Sequence, residues 1–138
     1  MAAESTTPDL VELTRRSFAA ANRGEWDAVM DFFARDAVWE VPELQAFEGR
    51  AAIRRLLEDW VGAYDDAEIE VVHVLDLGGG VGYVVACLQG RLAESTAHLR
   101  VRYGAVYTWA DDLIVRVTSQ PDIDEARAAA ERLAEERG

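Results

Sequence analysis

The sequence predicts an α+β fold, in which helices pack against one face of a curved antiparallel sheet. Two patterns carry this prediction. Over residues 53–64, apolar side chains recur at i, i+3, i+4, i+7, i+8 and i+11, which is the spacing of one helix face. Over residues 99–109, apolar residues alternate with others, as in a strand that buries one face. Helices in the first half and strands in the second favour a sheet whose apolar face is covered by helices.

The first helix is predicted to start at Thr7 and Pro8, a capping hydroxyl followed by a proline at the first helical position. Gly24 is predicted to end it. A second, shorter helix is expected over residues 26–34. Residues 37–41 then form a short strand, which the following proline stops.

The stretch 42–49 has no clear periodicity, and the helix over residues 53–64 follows it. The β-branched and aromatic residues that follow predict four strands in a meander. The first two of these strands are joined by a turn of three glycines. Asp122 and Glu125 form a capping box for a C-terminal helix over residues 122–138. The predicted strands span residues 69–77, 81–89, 99–109 and 113–119.

A chain of 138 residues fits one domain over residues 1–138, of which residues 1–7 are expected to be flexible. The net charge of −12 repels phosphate backbones and anionic lipids, so neither a nucleic acid nor a membrane is an expected partner. No apolar run approaches the ~18 residues of a membrane span, and a cytoplasmic location is expected by default. All 14 basic residues are arginines, as in proteins of GC-rich, actinobacterial-type genomes. Cys87 is the single cysteine, which excludes an internal disulfide.

Three segments carry a resemblance to a known family. They are AAANRGEWD at residues 19–27, FARDAVW at residues 33–39 and FEGRAAI at residues 47–53. Together with the order of predicted elements, they resemble the nuclear-transport-factor-2-like superfamily, and within it the SnoaL-like group, over nearly the whole chain.

This resemblance implies a conical roll with a cavity between the concave sheet face and the helices. In that superfamily the cavity often holds a hydrophobic small molecule, and the convex sheet face often forms a homodimer. Val106 and Thr108, on the predicted convex face, motivate the same dimer here. The superfamily contains ketosteroid isomerases, limonene-type epoxide hydrolases, polyketide cyclases and non-catalytic binding proteins, so the fold alone does not decide the function.

The acid and base positions of those enzymes are not matched. Ketosteroid isomerases need a donor tyrosine, a carboxylate base and a protonated aspartate, and this system is one of the standard examples of pKa tuning. The matching positions here are Ser17, Val41 and Ala105. Glu40 neighbours the base position but is expected on the opposite face of its strand, because side chains alternate. An aspartate that the epoxide hydrolases need is replaced by Ser119.

The remaining candidates predict a mostly apolar pocket that carries hydroxyl groups. No catalytic residue is assigned, and the two imidazoles, His73 and His98, are the candidates for acid and base chemistry. No metal-ligand spacing occurs, so neither a metal nor a cofactor is expected. The predicted cavity residues are Ser17, Trp39, Val41, Trp60, Tyr83, Tyr103, Ala105, Tyr107 and Ser119.

The sequence therefore predicts a binding protein for a hydrophobic or aromatic small molecule. The alternative is a polyketide-cyclase-like or isomerase-like enzyme that uses non-standard acid and base residues. A protein-interaction module is a third class, and an exposed apolar patch would favour it.

Overall fold

The computed structural model describes residues 9–137, and this part of the chain contains four helices and one six-stranded sheet. The α+β class predicted from the sequence is confirmed. In chain order the elements are α1 (Leu10–Asn22), α2 (Trp26–Met30), β1 (Phe33–Val41), β2 (Gln45–Glu48), α3 (Arg50–Gly62), β3 (Tyr64–Gly78), β4 (Val81–Leu92), β5 (His98–Ala110), β6 (Leu113–Gln120) and α4 (Ile123–Arg137).

The strands lie in the order β2-β1-β6-β5-β4-β3, and the curved sheet stays open because β2 and β3 form its two edges. All neighbours pair antiparallel except β1 and β6, which run parallel, with Trp39 opposite Val117. The predicted antiparallel pairing therefore holds for every pair except this one. The reason is that α3 and four strands separate β1 from β6, so no hairpin fixes their relative direction.

Helices cover both faces of the sheet. We call the face against α1, α2 and α3 the inner face, and the face against α4 the outer face. The prediction that all helices share one face is wrong for α4. A Cβ atom at Gly104 of β5 would lie 2.7 Å from the Cβ of Ala126, so the absence of a side chain at Gly104 lets α4 approach closely. The outer-face side chains buried beneath α4 are Val81, Tyr83, Val85 and Val106.

The prediction that Val106 and Thr108 form part of a dimer surface is therefore wrong, because both side chains are buried within the chain. Val106 is only 5% exposed and belongs to the cluster under α4, and Thr108 is also buried. These two side chains are not free for a second copy of the chain. The sequence did not reveal this, because no local pattern shows that α4 packs on these strands.

The first two helices are shorter than predicted. The side chain of Asp9 caps α1 by accepting a hydrogen bond from the Glu12 amide at 2.8 Å, so the helix begins at Leu10. The predicted cap at Thr7 lies outside the described residues. Helix α2 ends at Met30, and residues 33–34, which were predicted to be helical, begin β1.

Two further boundaries differ from the prediction. The short edge strand β2 was missed, because its largely exposed residues show no apolar alternation. It pairs with β1, with Phe47 opposite Trp39. Helix α3 ends at Gly62, and Tyr64, expected at its end, is the first residue of β3.

The segments that carry the family resemblance join elements to one another. The Asn22 side-chain amide donates to the Ile69 carbonyl at 2.8 Å and accepts from the Ile69 amide at 2.7 Å, which ties the end of α1 to β3. The Arg50 guanidinium donates two bonds to the Phe33 carbonyl, at 2.6 and 2.9 Å, which tie the start of α3 to β1. The motifs therefore fix the helices over the inner face.

Two predicted turn and cap features have the expected form. The three glycines at residues 78–80 join β3 and β4, and all have positive φ angles. A side chain at Gly80 would place a Cβ 2.6 Å from the Trp109 carbonyl oxygen. At α4, the Asp122 carboxylate accepts from the Glu125 amide at 3.0 Å. Among the described residues, no helix is both long and apolar enough to cross a membrane.

Candidate binding cavity

A cavity lies between the inner sheet face and helices α1 and α3, and it has two chambers. The inner chamber has a volume of only about 30 Å³. The outer chamber has a volume of about 350 Å³, at the small end of the ~300–1,000 Å³ range of ligand pockets. Four residues line both chambers and form the boundary between them: Trp39, Leu57, Trp60 and Tyr103.

The outer chamber reaches the protein surface. Its wall includes Leu44, in the turn between β1 and β2, and Val101 of β5. Their exposed fractions are 82% and 38%, which are high for large apolar residues. An apolar ligand therefore has an apolar entrance to the chamber.

Aromatic rings form most of the boundary. The rings of Trp60 and Tyr103 meet edge to face, with centroids 5.3 Å apart and an interplanar angle of 77°. Trp39 contacts Tyr107 in a similar arrangement at 6.3 Å and lies against Phe33 at 6.4 Å. Such contacts hold the rings in fixed orientations and present flat apolar surfaces to a ligand.

One polar contact crosses the cavity wall from strand to strand. The Trp39 indole Nε1 of β1 donates a hydrogen bond to the Ser119 Oγ of β6, at 2.9 Å. Ser119 lines the outer chamber, and the indole ring lines both. This bond orients the serine hydroxyl at the chamber surface.

The tyrosine hydroxyls of the cavity are neutral at ordinary pH. Burial raises the pKa of Tyr103 above its ordinary value of 10.0, and the nearby Cys87 raises it further. Burial also raises the pKa of Tyr107 well above that value, and the neighbouring Tyr103 adds to the effect. Both phenols therefore keep their protons and can donate hydrogen bonds, but neither is activated as a base.

Seven of the nine predicted cavity residues line a chamber. Ala105 is fully buried in the core on the inner face, beside Tyr103 and Tyr107, but it is not part of either chamber wall. The residues that do line a chamber are Ser17, Trp39, Val41, Trp60, Tyr103, Tyr107 and Ser119.

The prediction that Tyr83 lines the cavity is wrong. Its side chain lies on the outer face under α4, and its hydroxyl donates to the Ile123 carbonyl at 3.2 Å. Burial raises the pKa of Tyr83, while the positive charges of Arg127 and Arg102 oppose that rise. Its role is to anchor α4.

The two histidines do not reach the cavity. His73 of β3 and His98 at the start of β5 are both exposed, and neither lines a chamber. Their candidacy as acid and base residues is therefore wrong for this cavity. Glu40 forms an ion pair with Arg116 at 2.6 Å, away from the chamber walls, as expected for a side chain on the opposite face.

Sequence reasoning missed several wall residues. Leu56 and Leu57 share the α3 face with Trp60, and their helical spacing could have identified them as wall residues. Leu44 and Gln120 carried no such signal, because a loop and a strand end have no periodicity. Within residues 9–137, neither chamber is lined by a carboxylate or an imidazole, and no group of three His, Cys, Asp or Glu side chains could hold a metal ion.

A family model described as SnoaL-like domain matches residues 14–117 of the chain. The chain belongs to the SnoaL-like domain family. The match ends before α4, the helix that covers the outer face of this SnoaL-like protein. Comparison with curated proteins finds no match.

Solved structures share the SnoaL-like fold of the chain. A proposed polyketide cyclase from Sinorhizobium meliloti is 28% identical, with a TM-score of 0.65, and the match covers 83% of this chain and 95% of that one. A proposed ketosteroid isomerase from Kribbella flavida is 25% identical, with a TM-score of 0.64 and coverages of 79% and 74%. SalBIII, an epoxide hydrolase/cyclase-like enzyme of pyran ring formation in the polyether salinomycin, is 22% identical, with a TM-score of 0.70 and coverages of 79% and 87%.

Proposed function

We propose that this protein binds a hydrophobic or aromatic small molecule in the outer chamber and does not catalyse steroid isomerisation or epoxide hydrolysis. The observation that carries the proposal is the chemistry of the wall. Within the described residues, the chambers are lined by aromatic and aliphatic side chains, a few neutral polar groups and Arg102, and they contain neither a carboxylate nor an imidazole. Such a wall favours burial of apolar surface over proton transfer.

Native mass spectrometry of the protein as purified tests this proposal. We expect a small molecule to accompany the folded chain and to be released on unfolding. Turnover assays with a 5-ene-3-ketosteroid and with limonene oxide complete the test. Robust turnover of either compound, abolished by a single cavity substitution such as Ser119→Ala, would refute the proposal.

A cyclase-like or isomerase-like enzyme is the second candidate function. The observations that favour it are the two neutral hydroxyl donors at the outer chamber, Tyr103 and Ser119, and the similarity to a proposed polyketide cyclase. Such an enzyme would polarise an oxygen of its substrate by hydrogen bonding alone. Product formation by the purified protein, lost in Tyr103→Phe, would favour it over a binding protein.

Homodimerisation and a cytoplasmic location stay predictions. A dimer through the outer face would use the part that α4 leaves open, where charged side chains such as Arg100 and Glu70 lie 3.7 Å apart. Sedimentation of a stable monomer of 15.3 kDa at micromolar concentration would contradict the dimer.

A further inference from the structure

The Ser119 hydroxyl is a hydrogen-bond donor held ready for a ligand. A serine hydroxyl has one proton and two lone pairs. The bond from Trp39 Nε1, at 2.9 Å, engages a lone pair of Ser119 Oγ and leaves its proton available. Because Trp39 is itself buried between Phe33 and Tyr107, the serine oxygen is held by a rigid partner.

The other cavity serine differs in this respect. Ser17 Oγ donates its proton to the Thr14 carbonyl at 2.7 Å, within α1. Its proton is therefore committed to the backbone, and only its lone pairs remain. Ser17 lines the small inner chamber, whereas Ser119 lines the outer one. The two serines form a natural pair for comparison.

A second donor lies beside Ser119. Ser119 pairs with Ala105 of β5, so Tyr103, two residues earlier on the same face, is its diagonal neighbour. Tyr103 also lines the outer chamber, and its burial keeps the phenol protonated. The polar side of the chamber therefore offers protons. Gln120, at the end of β6, can both donate and accept, so it does not discriminate between ligands that donate and ligands that accept a hydrogen bond.

Arg102 also contributes to the outer chamber wall, but its charge acts elsewhere. It precedes Tyr103 in β5, and alternation along a strand directs its side chain to the outer face. Burial raises the pKa of Tyr83 on that outer face, and the charge of Arg102 is among the effects that oppose the rise. Within residues 9–137, Arg102 is the one charged residue of the outer chamber lining, and because strand alternation directs its side chain to the outer face we expect a neutral ligand.

We propose that the ligand of the outer chamber is a neutral aromatic molecule that carries a hydrogen-bond-accepting oxygen, such as a ketone. The Ser119 hydroxyl donates to this oxygen, and Trp39 acts as a positioning residue by holding Ser119 Oγ. This inference rests on the proposed function, because it specifies the ligand class of the same cavity.

Three naphthalene probes of equal size test the inference by equilibrium dialysis. These are 2-acetylnaphthalene, its hydrocarbon analogue 2-isopropenylnaphthalene, in which a CH₂ group replaces the oxygen, and the anion 2-naphthoate. We expect the ketone to bind about three- to tenfold more tightly than the hydrocarbon, as one neutral hydrogen bond allows. The ratio of the two dissociation constants is the measured quantity.

Variants assign that ratio to a residue. Ser119→Ala should lower the ratio below its wild-type value, and its circular dichroism spectrum should stay that of the folded chain. Ser17→Ala is the matched control and should keep the wild-type ratio. Trp39→Phe, which removes the indole N–H but keeps an aromatic ring, should lower the ratio, an effect that a merely structural role would not produce.

The possible results separate the inference from the proposed function. Equal binding of ketone and hydrocarbon to the wild type would overturn the inference and leave the proposed function standing. A ratio that persists in Ser119→Ala would also overturn it, since another donor would then be responsible. Tighter binding of naphthoate than of the ketone would contradict a neutral ligand. Failure of all three probes to bind would count against both proposals.

Discussion

At the scale of single residues, Trp39 combines two functions in one side chain. Its ring separates the chambers and packs against Phe33 and Tyr107, and its indole nitrogen orients Ser119. Tyr107, by contrast, lines only the inner chamber, which is too small for an organic ligand. The two neighbours therefore differ in what their substitution should change.

We expect Trp39→Ala to lower the free energy of unfolding by about 3–5 kcal/mol, because a large buried ring leaves a cavity. Tyr107→Phe keeps its ring and should change the affinity for 2-acetylnaphthalene by no more than about 1.5 kcal/mol. Urea unfolding and equilibrium dialysis measure the two effects. A larger loss of affinity in Tyr107→Phe than in a folded Trp39→Phe variant would contradict the assignment of the outer chamber as the site.

The buried tyrosines also predict how stability depends on pH. Burial raises the pKa of Tyr103 and Tyr107 in the folded chain above the ordinary value of 10.0, which applies to the unfolded chain. Above pH 10 the unfolded chain therefore binds fewer protons than the folded chain, and the free energy of unfolding falls as pH rises. Below pH 10 this contribution is fully present.

Urea unfolding over a series of alkaline pH values, combined with the ultraviolet absorbance of phenolate, checks this expectation. Ionisation of Tyr103 and Tyr107 should coincide with loss of the folded circular dichroism spectrum. In the control variant Tyr103→Phe the decline of stability with pH should be shallower. Ordinary ionisation of all tyrosines in a chain that stays folded would show that these two phenols are solvated.

At the scale of elements, β4 shows what strand periodicity can and cannot predict. Alternation correctly placed Tyr103 and Tyr107 together, because β5 carries arginines on its outer face near its start. Residues 81–88 of β4 are all buried, since the main core lies against the inner face and α4 against the outer face. A strand that is buried on both faces shows no alternation, and the sequence could not decide which face Tyr83 occupies.

The close contact between α4 and β5 can be tested at Gly104. In Gly104→Ala the new Cβ would lie 2.7 Å from the Cβ of Ala126, and we expect a loss of about 1–3 kcal/mol in unfolding free energy. Adding Ala126→Gly should recover part of this loss by removing the clashing methyl group. A double-mutant cycle from urea unfolding measures the coupling. Additive effects would show that α4 does not press on Gly104.

At the scale of the whole molecule, the sequence predicted the class and the main cavity wall but not the layering. The helical spacing of residues 53–64 and the alternation of residues 99–109 are local patterns, and both describe the inner face. The parallel pairing of β1 with β6 and the position of α4 depend on contacts between distant segments. No local pattern encodes such contacts, so the molecule has two buried layers where one was expected.

The second layer makes a prediction about association. Helix α4 covers the apolar side chains of β4 and β5 through Ala126 and Ala130, which are both fully buried. An acidic side chain in Ala130→Asp would place an unpaired charge in this layer, so α4 should detach and expose the apolar patch. We expect the variant to form larger species in sedimentation than the wild type and to bind a hydrophobic dye. Arg132→Gln, an exposed position on the same helix with the same change in net charge, is the control and should sediment as the wild type does. An Ala130→Asp variant that is no less stable and no more associated than this control would show that the outer face does not depend on α4 for its cover.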